Sequence, residues 1–302
     1  MTTTLTAPPP VPAPVSPARR ALATAAALGT LPYVTLKVLW LAGEPVGWTD
    51  PSLLADPVLG VLNAVTLGMD LCVVLLAVAL ATRWGRGLPA WTVLLPAFVG
   101  TGFLVPMILI VVPAVAATVL SGSVAGDGTL EPWVGPLVYG GFAWQGAFLV
   151  AAFALYARDR WSDRLTGRPP ADVLPLLRVL ATGGGLTAVL AASLQVAAGV
   201  ADGGTAVAVQ GGIALLGLAG ALGVAALARG TVRPWTVGAA FTGSGVLFAW
   251  GLWSTTTLMA GPALREAEAL PALAQLAALV AGFALAMAGL LALTRERPAP
   301  RG

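Results

Sequence analysis

One carboxyl group lies deep inside a long apolar stretch, and its position makes it the first candidate for chemistry. Asp70 lies about 12 residues into the stretch that begins at Pro57, roughly 18 Å along a helix and near the midplane of a bilayer if the stretch crosses one. A charge at that depth costs about 2.5–3.5 kcal/mol. Because aspartate is too short to reach the headgroups, we expect Asp70 to be protonated, paired or facing water. It would then act as a proton or cation site between helices, or as part of a structural clasp.

A second ionisable side chain, Lys37, lies in the preceding apolar stretch. Tyr33 and Lys37 share one helix face there, and Asn63, Thr66 and Asp70 share one face of the next stretch. If the two faces meet, Tyr33 comes to the depth of Asp70 and Lys37 to that of Asn63. The spacing therefore predicts an intramembrane polar cluster of Tyr33, Lys37, Asn63 and Asp70.

Lys37 also has a structural interpretation. It lies roughly 7–8 Å below the outer end of its stretch, and its four-carbon stem is long enough to carry the ammonium to the interface. There the ammonium would pair with acidic residues of the next loop, namely Glu44, Asp50 or Asp56. Under this alternative the lysine has a purely structural role at the membrane surface.

The composition excludes several classes of site. The chain contains no histidine and one cysteine, Cys72, so histidine-based metal sites, Ser–His or Cys–His nucleophile pairs and an intramolecular disulfide are not available. Only 10% of the 302 residues are charged, against about 25% in soluble domains, and the mean hydropathy is +0.88. We expect no catalytic residue, no metal site, no cofactor and no nucleic-acid partner. A lipid bilayer is the expected surrounding.

Eight apolar stretches are long enough to cross that bilayer. The sequence therefore predicts an all-α polytopic transmembrane helix bundle of about eight spans. They are Ala21–Ala42, Pro57–Ala81, Leu88–Ala125, Val134–Ala157, Val179–Val200, Thr205–Ala228, Trp235–Ala260 and Ala272–Thr294.

The loops between these stretches alternate in charge. Fourteen of the sixteen basic residues fall on one side, and the acidic loops fall on the other. The positive-inside rule places the arginine side in the cytoplasm, together with both termini, and predicts a multi-pass protein of the plasma membrane. Tryptophans near the outer ends, such as Trp40, Trp48, Trp133 and Trp253, are typical of an interfacial aromatic belt.

The two halves of the chain resemble each other, which predicts a tandem duplication of a four-helix unit. RALATAAALGTLPYVTLKV begins at Arg20 and RVLATGGGLTAVLAASLQV at Arg178, and FVGTGFL at Phe98 corresponds to FTGSGVL at Phe241. Both copies would share one orientation, with the pseudo-two-fold axis along the membrane normal. The predicted organisation is a disordered cytoplasmic tail (1–18), a first unit (19–157), a cytoplasmic linker (158–177) and a second unit (178–297).

The predicted polar cluster does not recur in the second unit. Gln195 occupies the position of Lys37, and Leu216 that of Asp70. Gln195 and Gln210 are therefore secondary polar candidates, for which hydrogen bonds between helices are expected. Glycines throughout the second unit, including Gly220 and Gly243, indicate close helix packing.

The stretch LPYVTLKVLWLAG, from Leu31 to Gly43, resembles the first span of uncharacterised actinobacterial multi-spanning membrane proteins that share the pattern PYxxLKxxWxxG. The resemblance covers about thirteen residues. It implies that Tyr33, Lys37 and Trp40 are features of that group, and it implies no activity or substrate.

Two functions remain open. The first is an accessory or structural membrane protein without catalysis, which would meet membrane-embedded protein partners or form a homo-oligomer. The alternative is a secondary transporter or proton-coupled carrier that uses Asp70 at the midplane. Prolines interrupt the third stretch but not the seventh, which departs from the matched broken helices of repeat transporters.

Overall fold

A computed structural model describes residues 14–120, 128–260 and 269–294, and this part of the chain is helical with no strand beyond two isolated bridges. Short 3₁₀ turns lie at 51–55, 162–164 and 171–173. The helices are α1 (Pro17–Leu41), α2 (Pro57–Ala81), the single turn α3 (Trp84–Gly87), α4 (Ala90–Pro106), α5 (Val112–Leu120), α6 (Val134–Trp161), α7 (Leu174–Asp202), α8 (Thr205–Ala228), α9 (Pro234–Ala260) and α10 (Ala269–Ala292).

The protein is an all-α polytopic bundle. Seven of the described helical segments are long and apolar enough to cross a membrane, with α4 and α5 forming one of them. The remaining predicted span, the seventh in chain order, forms α9, which is 27 residues long and carries glycine, serine, threonine and tryptophan among its apolar residues. It packs against α4, α8 and α10.

Each half of the chain forms a ring of four long helices. In the first unit α1 packs on α2 and α6, and α4 completes the ring between α6 and α2. In the second unit α7, α8, α9 and α10 follow the same order of neighbours. The two rings meet where α4 packs along α9.

Residues matched in the predicted duplication meet each other at this contact. Phe98 and Phe241 lie edge to face with their ring centroids 5.4 Å apart. Gly102 and Gly245 bring the two backbones together, because an added Cβ at Gly245 would lie 3.5 Å from the Gly102 Cα. Two units related by a two-fold axis would meet in this way. The duplication itself stays a prediction.

The second unit packs tightly because small residues stand where its helices cross. An added Cβ at Gly220 would lie 2.7 Å from the Gly243 Cα, and one at Gly251 would lie 2.6 Å from the Leu279 amide. Close packing is confirmed at these crossings. It does not extend to Gly183, where an added Cβ meets nothing within 4 Å.

The third span changes its helical pitch in the half nearer the acidic loops. This end of the bundle is labelled outer below, and the arginine-bearing end inner, after the topology predicted from the sequence. Between α4 and α5, the segment Met107–Val111 forms a π turn. Pro106 and Pro113 flank it, and each lacks the amide that would continue the α-helical hydrogen bonds. The irregularity predicted from the prolines is therefore a local widening of one continuous span.

The inner end of the first unit is held by an ion pair between a buried arginine and a partly exposed aspartate. Arg19, which is fully buried, donates to Asp159 at 2.7 Å, and Arg86 lies 3.5 Å from the same carboxylate. Tyr156 and Arg160 both donate to the Gly85 carbonyl, at 2.7 and 3.0 Å. These bonds tie α1, α6 and the turn after α2 together at one level.

Helices run further at this inner end than the sequence predicts. Ser16 caps α1 by accepting from the Arg19 amide, so the helix begins at Pro17, inside the predicted tail; residues 1–13 lie outside the described part. The predicted linker, 158–177, is also partly helical: α6 continues to Trp161 and α7 begins at Leu174. Both helices therefore continue beyond the apolar stretches into arginine-bearing sequence.

Candidate functional site

A cavity of about 840 Å³ lies inside the first unit. Its walls come from α1, α2, α4 and α6, and α9 of the second unit adds one side. Eight aromatic residues contribute to the lining, which is otherwise mostly aliphatic. They are Tyr33, Trp40, Trp48, Phe103, Tyr139, Phe142, Trp250 and Trp253.

The four predicted cluster residues all line this cavity: Tyr33, Lys37, Asn63 and Asp70. Lys37 is 6% exposed, and its Nζ donates to Asn63 Oδ1 at 2.6 Å. The ammonium also lies 4.5 Å from the centroid of the Tyr33 ring, a cation–π distance. The depth match predicted for Lys37 and Asn63 is therefore present as a direct hydrogen bond.

Lys37 does not extend to the acidic residues of the outer loop. Asp56 accepts from the Val58 amide at 2.7 Å and caps α2. Asp50 accepts from both the hydroxyl and the amide of Ser52, and these bonds hold the pKa of Asp50 below its ordinary value. The alternative in which Lys37 reaches this loop is wrong, because the amide of Asn63 satisfies the ammonium inside the bundle.

Asp70 lies deeper in the cavity and is 4% exposed. Its Oδ2 atom is buried and has no hydrogen-bond partner in the structure. The Gln145 side chain of α6 and the Lys37 ammonium both lie close enough to act on the carboxyl group electrostatically. The carboxyl group therefore has a polar neighbour on α6, and its Oδ2 atom is buried without a partner among the described residues.

Tyr33 is held in place from two sides. Its hydroxyl lies near the Thr66 side chain on α2, and its ring packs edge to face on Phe142 with the centroids 4.9 Å apart. The predicted faces of α1 and α2 thus do meet, and α6 closes the third side.

The outer end of the cavity is covered by loops. Trp40 donates through Nε1 to the Val46 carbonyl at 2.7 Å and packs against Trp48, with ring centroids 5.4 Å apart. Trp48 forms an isolated bridge with Leu130 in the loop before α6. Trp40 is 6% exposed, so the belt interpretation is wrong for this residue; it is part of the cover.

The inner end is closed by a packed apolar layer. The buried residues of this layer come from α1, α2, α4 and α6, below the level of Asp70. They include Ala23, Ala26, Leu76, Leu80, Val93, Ala97, Leu149 and Tyr156. The cavity therefore reaches from the outer loops past Asp70 to Leu76 of α2 and Leu95 of α4, where this layer begins.

The secondary candidates lie elsewhere. Gln195 is buried in α7 with its Oε1 unpartnered, and Gln210 lies on α8 with its Oε1 unpartnered. The structure brings neither to the cavity.

Sequence reasoning missed the walls supplied by α6 and α9. Gln145, Tyr139 and Phe142 recur at helical spacing on α6, and this face was the available signal. Trp250 and Trp253 share one face of α9. Nothing in their own sequence distinguishes them from interfacial tryptophans.

The chain matches no family model, no curated protein and no solved structure.

Proposed function

We propose that this protein is a non-catalytic integral membrane protein whose first unit binds a small molecule. The observation that supports this best is the cavity, which combines a buried ammonium, a buried carboxyl and aromatic walls in one half of a bundle whose other half is closely packed. Its volume of about 840 Å³ lies within the range of ligand pockets.

Binding fits the cavity's polar groups better than catalysis does. Lys37 donates to Asn63, and the side chain of Gln145 lies beside Asp70. An intramembrane nucleophile would need an adjacent base to activate it. Among the described residues that line the cavity, the lysine and the carboxyl group instead have amide side chains as neighbours.

The binding proposal is tested with a small apolar photoprobe. Trifluoromethyl phenyl diazirine would be equilibrated with the reconstituted protein, and labelling of Val99 and Phe103 in the cavity wall compared with that of Val189, which is 53% exposed on the outside of α7. Gly68→Phe fills the side of the cavity without a clash, since an added Cβ there meets nothing within 4 Å.

We expect Gly68→Phe to reduce labelling of the cavity wall severalfold while Val189 stays unchanged. Gly60→Phe is the matched control, because Gly60 is equally open, lies on the same helix and does not line the cavity. Equal labelling of Val99 in wild type and Gly68→Phe would contradict the proposal.

A secondary transporter or proton-coupled carrier is the second candidate, and the closed inner end of the cavity favours it. A binding site that contains Asp70 and is closed toward the inner end by an apolar layer is what one state of an alternating-access carrier would present. Proton or cation flux into liposomes, compared between wild type and Asp70→Asn, separates the two. Flux above empty vesicles that disappears in Asp70→Asn would establish the carrier.

The proposed membrane is the plasma membrane, with the arginine-bearing loops and both termini in the cytoplasm. In a Cys72→Ala background, single cysteines at Ser162 and Asp202 test this, since both positions are exposed. An impermeant maleimide applied to intact cells should label Asp202→Cys and spare Ser162→Cys. Association with membrane-embedded partners or a second copy stays part of this proposal, and chemical cross-linking of intact membranes tests it.

A further inference from the structure

The cavity has an opening on its side. Gly68 and Cys72 of α2 and Leu95 of α4 line it and are exposed on the outside of the bundle. α2 packs extensively on α1 and only slightly on α4, so a gap remains between α2 and α4. Because loops cover the outer end and an apolar layer closes the inner end, this gap is the route into the cavity. A molecule dissolved in the bilayer would use it.

The charge of the cavity restricts what can enter. One ammonium, Lys37, and one carboxyl group, Asp70, are buried in its wall. A ligand with a net charge would leave one unit of charge uncompensated in a low-dielectric site, which is costly. A neutral ligand leaves the existing balance between the two groups intact.

Asp70 also determines the polar group that the ligand must carry. Its Oδ2 atom is buried and unpartnered and lies in the wall of the cavity. A carboxylate oxygen only accepts hydrogen bonds, so its complement is a donor. The aromatic side chains around it, including Tyr139 and Phe142, suit an apolar body attached to that donor.

We propose that the cavity binds a neutral lipid that carries a hydroxyl group, which enters from the bilayer between α2 and α4 and donates to Asp70. The hydroxyl oxygen stays with the ligand, and its hydrogen completes the bonding of Oδ2. The apolar chain lies against the aromatic wall and extends through the gap beside Gly68. This inference rests on the proposed binding function and specifies the ligand for the same site.

Photo-crosslinking with a diazirine-bearing hexadecanol tests the inference. The matched probe is its methyl ether, which has the same chain but no donor. We expect the alcohol to label α4 and α6 wall peptides at concentrations about tenfold lower than the ether, as a hydrogen bond to a charged acceptor allows. Equal labelling by alcohol and ether would overturn the inference.

Two variants of Asp70 test whether its carboxylate oxygen causes the preference for the alcohol over the ether. Asp70→Leu removes the acceptor with little change in side-chain volume, and we expect alcohol and ether to label it equally. Asp70→Asn keeps an acceptor oxygen and should keep part of the preference. An unchanged tenfold preference in Asp70→Leu would place the hydroxyl elsewhere and overturn the inference.

A charged competitor and the apolar photoprobe complete the design. Palmitate at pH 8 should compete less well than hexadecanol, since it brings a net charge; stronger competition by palmitate would show an anion site at Lys37 instead. If the apolar diazirine enters the cavity but the alcohol shows no advantage, the binding function stands and the ligand class is wrong. If Gly68→Phe changes labelling by neither probe, both the binding function and the proposed ligand class are wrong.

Discussion

The two units arrange four helices in the same order, yet the large cavity lies in the first, while the described helix crossings of the second bring backbones into contact. In the second unit, glycines stand at the helix crossings and let the backbones touch, as at Gly220 and Gly243. In the first, large side chains such as Tyr33 and Trp40 line the cavity, and α2 packs only slightly on α4. The sizes of the residues at the crossings, rather than the order of the helices, decide whether such a ring encloses space.

The buried charged side chains also differ between the two units. The position of Lys37 carries Gln195 in the second unit, and that of Asp70 carries Leu216. A closely packed ring has no room for a ligand that would compensate a carboxyl group at the midplane, so the charged pair belongs with the cavity.

The largest effect is expected from placing a bulky residue in the closely packed unit. Gly220→Leu should destabilise the protein by about 3 kcal/mol or more, because the new side chain meets the backbone of Gly243, which cannot give way. Gly68→Leu, in the open unit, should be tolerated. The yield of monodisperse protein and its thermal unfolding midpoint in detergent measure both. Equal losses in the two variants would remove the contrast between the units.

The next largest effect is expected at the ion pair between Arg19 and Asp159, at the inner end of the first unit. Asp159→Ala leaves the buried Arg19 guanidinium without its carboxylate, and we expect a loss of about 1.5 kcal/mol. The value is moderate because the Asp159 side chain is 37% exposed. Adding Arg19→Met should recover part of the loss in SDS titrations of the folded fraction. Additive effects would show that the ion pair does not act as a unit.

A smaller effect distinguishes the partners of Lys37. The structure predicts that Lys37→Met and Asn63→Leu are coupled by about 1 kcal/mol in a double-mutant cycle, because each variant breaks the same hydrogen bond. Lys37→Met and Asp70→Asn should be coupled less strongly, since no direct bond joins them. The reverse order of coupling energies would mean that the lysine pairs with the carboxyl group instead.

The smallest effect is expected at Tyr156. Tyr156→Phe removes its hydrogen bond to the Gly85 carbonyl and should cost about 0.5–1 kcal/mol. Arg160 keeps donating to the same carbonyl, which limits the loss. The unfolding midpoint in detergent provides the measurement, and Tyr139→Phe in the outer half is a comparison variant. A larger loss at Tyr156 would mean that the hydrogen bonds at the inner end stabilise the first unit more than the adjacent apolar layer does.

Much of the first unit could be predicted from single-helix periodicity. Each helix rises by the same amount per residue, so depth follows from sequence distance, and Lys37 and Asn63 come to one level for that reason. Which helices become neighbours does not follow from periodicity. The packing of α6 places Gln145 beside Asp70, and the packing of α9 places Trp250 and Trp253 in the cavity wall. The hydrogen bond from Arg160 to the Leu88 carbonyl was equally unpredictable, since it depends on how the turn after α2 folds back.

The contact between Gly102 and Gly245 joins the two units with no side chain between them. Since α9 extends from this point to carry Trp250 and Trp253 along the cavity, a tilt of one unit against the other would widen or narrow the space around a guest molecule. Occupancy and tilt are then linked thermodynamically: whatever favours a filled cavity also favours one angle between the halves. The angle of the closely packed second unit would thereby depend on whether the cavity of the first unit is filled.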